Sequence, residues 1–205
     1  MVIRKIEHQF NSKDAAALRA IQHRLIEFRI TGKASDFFIY EAIHSLEIGR
    51  ILTTLLLTTA AIELRAREIL TNLRIRQSKE IVKKAFAVEV SIEEDKSLAF
   101  YGIISALNSA HVFGPGEFDV LKNIYINIRI PLHHGIVRRY IQQRDEPGVW
   151  DGELFGTLKA NSTTSQSELE DAIDKHGISD LSKVIDGMSI ITDIFFKYPT
   201  EKNQV

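Results

Sequence analysis

Leu55-Leu56-Leu57-Thr58-Thr59-Ala60-Ala61 is the stretch on which the fold turns. It is apolar or small on every side, so a helix built from it presents no polar face and must lie inside a bundle of other helices. On either side of it Phe37, Phe38, Ile43, Leu46, Ile51, Ile62, Ile69 and Leu73 recur at helical spacing. Only Gly49 interrupts the pattern. The spacing predicts either one helix from about residue 35 to about 76, or two helices bent near that glycine.

Further out, Asn11-Ser12-Lys13-Asp14 offers caps for a helix carrying Leu18, Ile21, Leu25 and Ile26, which Thr31-Gly32-Lys33 ends. Residues 77–96 read as a connector with one short helix. Residues 97–110 read as a helix that turns Leu98, Tyr101, Ile104 and Leu107 inward, with Gly102 weakening it. Gly114-Pro115-Gly116 is a turn. Phe118, Leu121, Ile124, Tyr125 and Ile128 then make a helical face that Pro131 should break or kink, because it lacks an N–H and clashes with the preceding turn. A new helix is expected over 131–143, and irregular chain over 149–167. Two closing helices are expected at about 168–175 and 180–198, the second with an apolar stripe of Leu181, Val184, Ile185, Met188, Ile191 and Phe195. The expectation is one all-α domain over residues 1–205, an up-and-down bundle with the C-terminal helices packed on it.

Composition narrows the chemistry. Hydrophobic residues make up 44% of the 205, enough for a sizeable core, while four prolines and eleven glycines argue against a loop-rich or all-β architecture. The chain has no cysteine, which removes disulfides, thiolate metal sites and thiol nucleophiles and fits a reducing compartment. The net charge of -1 supplies no global field for nucleic acid, so any RNA binding must come from a local patch. The N-terminus has no apolar run of signal length, and the apolar stretch around Ile51 to Ile62 is too short to span a bilayer. A soluble, cytoplasmic protein away from membranes is expected.

Cofactor and metal signatures are weak. Gly114-Pro115-Gly116-Glu117 lacks the lysine and hydroxyl of a phosphate loop, and no G-x-S-x-G occurs. The histidines form neither an HExxH nor a His-x3-His pair, and Glu41 with His44 is a Glu-x-x-His without a second copy. No metal and no cofactor are expected. The basic run Arg65, Arg67, Arg74, Arg76, Lys79, Lys83 and Lys84 is either a strip facing RNA or a partner, or a solvated helix end.

The stretch with chemical promise is Asn127-Ile128-Arg129-Ile130-Pro131-Leu132-His133-His134-Gly135. An arginine holds a phosphate by a planar fork of donors, and a histidine takes and gives a proton near neutral pH. On an ideal helix starting at Pro131, Leu132, Ile136, Val137, Tyr140 and Ile141 form an apolar face. His133 falls near its middle and should be packed in the core. His134 falls at its edge beside Arg138, better placed to reach a ligand. Glu63 sits in the most apolar helix, where a bare carboxylate is costly. Either it meets Arg129 or a histidine, or it points outward and pairs with Arg67 four residues on.

An arginine and a histidine with four residues between them, opening a late helix of an all-α chain with a buried helix through Thr59-Ala60-Ala61-Ile62-Glu63, resembles the HEPN superfamily. The resemblance covers about residues 35–143. It implies a helical bundle that pairs as a homodimer and acts as a metal-independent endoribonuclease, in a defence or toxin setting with an antitoxin-like protein partner. By that resemblance Arg129 stabilises charge on the phosphate and His134 is the general acid or base, with Glu63 and His133 in support. Arg138 and Arg139 would hold flanking RNA phosphates with Tyr140 packed or stacked beside them, or the two arginines form a solvated helix face. Ile130 stands where the family usually has a polar residue, and many members are not nucleases. With the neutral charge, this supports a non-catalytic HEPN-like module for dimerisation or partner binding. A helical regulatory domain unrelated to HEPN is the third reading.

Overall fold

The structure is a computed structural model that describes residues 34–77, 91–92, 94–134 and 166–198, with isolated helical positions at 16, 17, 19, 20 and 23. Among the described residues the fold is all-α, with no strand. Helix α1 is Ala34–Glu47 and α2 is Ile51–Gln77. A 3-10 turn, Lys96–Leu98, leads into α3, Phe100–Ser109. Helix α4 is α-helical over Glu117–Ile124, π-helical over Tyr125–Arg129 and α-helical again over Ile130–His134. Helix α5 is Gln166–Lys197.

The long pattern around Gly49 resolves into two helices, and the join is a full reversal. Gly49 adopts φ 82°, a conformation that a side chain resists. Its N–H donates to the Leu46 carbonyl at 3.0 Å, and the Arg50 N–H donates to the Ser45 carbonyl at 2.8 Å. These are the two bonds of a Schellman stop, which satisfies the last carbonyls of α1. The chain then runs back along itself. The Thr54 hydroxyl meets the Ala42 carbonyl at 3.4 Å, and Ser35 donates to Glu68 at 3.2 Å, so α1 and α2 are antiparallel.

Helix α2 is the central helix, packing against α1, α3 and α5. Thr54, Leu55, Thr58, Thr59, Ala61 and Ile62 are buried, and Leu56, Leu57 and Ala60 are half-buried. Burial of threonine is tolerated here because each hydroxyl turns back onto its own helix. Thr58 donates to the Thr54 carbonyl at 2.8 Å and Thr59 to the Leu55 carbonyl at 2.9 Å. Helix α5 runs in the same direction as α2, since Arg65 packs on Phe195 and Asn72 donates to the Tyr198 carbonyl at 3.2 Å. At Gly187 a third helix comes in: an added Cβ would lie 2.3 Å from the Ile124 methyl of α4. One apolar cluster draws side chains from all five helices, among them Ile39, Leu55, Ile104, Ile124 and Phe195.

Three local expectations are corrected. Pro131 does not break α4. The helix widens ahead of it, and the Ile130 N–H donates to the Tyr125 carbonyl five residues back. A π turn of this kind relieves the clash and missing bond that a proline imposes on a regular α-ladder. The two closing helices are one, because Gly177 lies buried inside α5 and does not stop it. An interior glycine costs about 1 kcal/mol but keeps its N–H, so packing of the flanking stripe carries the helix through. Tyr101, expected inward, is on the surface, while Phe100 and Ile103 take the buried positions beside Ile104 and Leu107. Of the first expected helix only positions 16, 17, 19, 20 and 23 are described, and they are helical; the 77–96 connector in large part, the 135–143 extension and the 149–165 segment lie outside the described residues. No helix among the described residues is long and apolar enough to cross a membrane.

Candidate functional site

Glu63 and Arg67 stand one turn apart on α2, facing the end of the π-helical segment of α4. The sequence left two partners open for Glu63, and the structure gives it both. Its Oε2 lies 2.5 Å from Nη2 of Arg129, and its Oε1 lies 3.6 Å from Nη2 of Arg67. The side chains of Glu63 and Arg129 are 18% and 23% exposed, so a carboxylate largely withdrawn from water is matched by positive charge. Arg67 is held in turn: it donates to the Ile92 carbonyl at 3.1 Å and the Leu98 carbonyl at 3.4 Å, tying α2 to the approach of α3.

Aromatic rings fix the other side of Arg129. Its guanidinium carbon lies 5.9 Å from the centre of the Phe100 ring. Tyr125, one turn before Arg129, packs edge-to-face on Phe100 at 5.6 Å and stacks on Tyr101 at 5.6 Å with 24° between planes. The trio Arg129, Glu63 and Arg67 carries a net positive charge in formal terms. A guanidinium offers five donors, and one carboxylate does not use them all, so this arrangement can hold a phosphate oxygen while keeping its internal ion pair.

His133 is placed differently from expectation. His133 was expected inside the core and is exposed. The continuous α4 sets the reason: its buried stripe runs through Leu121, Ile124, Ile128 and Leu132, and His133 is one residue off that stripe. Four residues after Arg129, in an α-helical turn, it lies on the same side of the helix as that arginine. His134 is the last described residue of α4, and its side chain lies outside the described set, as do Arg138, Arg139 and Tyr140. Glu41 is half-buried and His44 exposed. Among the described residues no group of three metal-ligating side chains gathers.

A second arginine site escaped the sequence reading. Arg65, taken there as part of a strip or a solvated helix end, is completely buried. It pairs with Asp36 of α1 and lies 3.0 Å from Glu68, with its guanidinium 4.2 Å from the centre of the Phe195 ring of α5. Ser35 donates to the same Glu68 carboxylate at 3.2 Å. The signal was present in the spacing. Thr58, Ile62, Arg65, Ile69 and Asn72 are one buried helical stripe, so Arg65 occupies a core position. No protein-family model, no curated protein and no solved structure matches the chain.

Proposed function

We propose that this chain is a HEPN-like ribonuclease that cleaves RNA without a metal ion. The observation that carries the reading is the half-buried ion pair between Arg129 and Glu63, set at the point where α4 leaves its π turn and enters the two histidines. Glu63 orients Arg129. Arg129 binds the scissile phosphate and stabilises the charge that builds on its oxygens. The His134 imidazole takes the proton of the ribose 2′-hydroxyl, and that oxygen attacks the adjacent phosphorus. The bond from phosphorus to the 5′-oxygen breaks, and an imidazolium returns a proton to the leaving oxygen. The products are a 2′,3′-cyclic phosphate and a 5′-hydroxyl end, which restricts the substrate to RNA. A homodimer would supply a second motif, so that one histidine serves as base and the other as acid. Arg138, Arg139 and Tyr140 belong to the flanking RNA contacts in this reading. A cytoplasmic toxin or defence role with an antitoxin-like partner extends the same analogy.

One observation favours the second reading, a non-catalytic dimerisation or partner-binding module. Glu63 already neutralises Arg129 inside the fold, which is what a purely structural arginine requires. RNA cleavage by the purified protein in excess EDTA, with His134→Ala alongside, separates the two. The nuclease reading expects cleavage that survives EDTA and disappears in the variant. Absence of cleavage across varied RNAs, with a stable dimer by light scattering, supports the module.

A further inference from the structure

Tyr101 and Tyr125 lie outside the Arg–His motif, yet they are built against it. Tyr101 is 40% exposed, off the side of α3 that buries Ile103, Ile104 and Leu107. It stacks on Tyr125, and Tyr125 is fixed from a second direction by the edge-to-face contact with buried Phe100. The same Phe100 ring faces the Arg129 guanidinium. The outer ring of this stack is thus tied through Tyr125 and Phe100 to the surroundings of the arginine.

Basic side chains flank Tyr125 along α4. On α4, Lys122, Tyr125, Arg129 and His133 follow at spacings of three, four and four, which places them along one side of the helix. Helix α3, Phe-Tyr-Gly-Ile-Ile-Ser-Ala-Leu-Asn-Ser, carries no charged residue, so no acid on it repels a phosphate. Hydroxyl and amide groups follow Tyr101 on the helix: Ser105 and Asn108 fall one and two turns after it. The nearest acid before α3, Asp95, is turned onto Ser97, accepting from its N–H at 2.9 Å and its hydroxyl at 2.6 Å. Glu63 is occupied by its two arginines.

We infer that the Tyr101–Tyr125 stack is a nucleobase platform, and that single-stranded RNA lies along α4 with one base on Tyr101 and its phosphates toward Arg129 and Lys122. Single strands are bound by stacking of splayed bases on aromatic rings, combined with a basic track for the backbone. This deepens the nuclease proposal by naming the form of RNA it takes, and it rests on that reading for the choice of RNA over another anion. Stacking tolerates every base, so the platform supplies affinity and register with little sequence preference.

The test uses the full chain and a fluorescent 2′-O-methyl oligouridylate of about eight nucleotides, a length within the usual range of single-strand sites. Without a free 2′-hydroxyl it cannot be cleaved by the proposed chemistry, so anisotropy reads binding alone. Tyr101→Ala is expected to weaken binding roughly five- to a hundredfold, the usual effect of removing one stacked base contact, while Tyr101→Phe binds as wild type. Lys122→Ala is expected to lower the salt slope by about one phosphate contact. Equal binding by wild type and Tyr101→Ala, or no binding by wild type, overturns the platform. Cleavage of ordinary RNA in EDTA alongside binding indifferent to Tyr101 overturns it while sparing the nuclease reading. Binding that depends on Tyr101 without any cleavage supports the platform and removes the nuclease reading.

Discussion

Two arginines tie other helices to the central helix α2, one from α2 itself and one from α4, and they differ in how far water reaches them. Arg65 is fully buried between Asp36, Glu68 and the Phe195 ring, and it joins α1, α2 and α5. Arg129 pairs with Glu63 half-buried, with its guanidinium over the Phe100 ring, and joins α2 to α4. The side-chain chemistry is the same in both places. Burial makes the first a tie within the fold, whose charge no ligand can reach. Partial exposure leaves the second able to exchange part of its hydration for a phosphate.

The comparison is broken first at its interior end. Arg65→Leu removes the cation from two carboxylates that the fold holds near it, and loss of one partner from a buried pair costs about 3 to 5 kcal/mol. Urea denaturation should show a large fall in midpoint, or a chain that does not fold. A loss below about 1 kcal/mol would remove the distinction between the two arginines. Next comes the packing that sets α4 against α5. Gly187→Ala places a methyl where the Ile124 side chain now lies, and overpacking of this sort costs about 1 to 3 kcal/mol, offset in part by the better helix propensity of alanine. Thermal unfolding should report a net fall in Tm.

The half-buried pair sharpens the comparison from the other side. Glu63→Gln keeps the shape but removes the charge between Arg67 and Arg129, and a partly exposed charged contact is worth about 1 to 2 kcal/mol. The stability loss should be modest; the nuclease proposal expects a much larger loss of RNA cleavage, because Arg129 is no longer oriented. Smallest of all is the cap at Asp95. Hydrogen bonds from the Ser97 hydroxyl and N–H, with a lesser contribution from the Arg74 charge, hold its carboxyl below the usual carboxylate range. A depressed carboxyl stabilises the fold above its ordinary titration range, and that contribution is lost as pH falls through the lowered value. Asp95→Ala should therefore lower Tm slightly at neutral pH and leave it unchanged in strong acid.

The all-α architecture was legible because helical periodicity is local. The core of α2 and the stripe of α5 follow from spacing alone. What spacing does not carry is how a helix accommodates a flaw. Gly49 marks a break, but only its left-handed backbone and Schellman bonds turn the break into a reversal. Gly177 and Pro131 look like stops, yet a glycine keeps its N–H and a π turn absorbs a proline. That same continuity moved His133 out of the core. Around the site, Glu63 was recognisable as a carboxylate needing a cation, and Arg129 was one of the partners weighed. Tyr101 and Phe100 were not, because which of two adjacent aromatics faces inward depends on where α3 begins. Arg65 was hidden by its basic neighbours, although its place between Ile62 and Ile69 marked it as a core position.

The most direct test compares Arg129→Ala with wild type for RNA cleavage in EDTA, at a temperature where far-UV circular dichroism shows both fully folded. The account predicts a variant that keeps its helices and loses cleavage. A variant that cleaves as well as wild type, or one that unfolds as Arg65→Leu does, would contradict it.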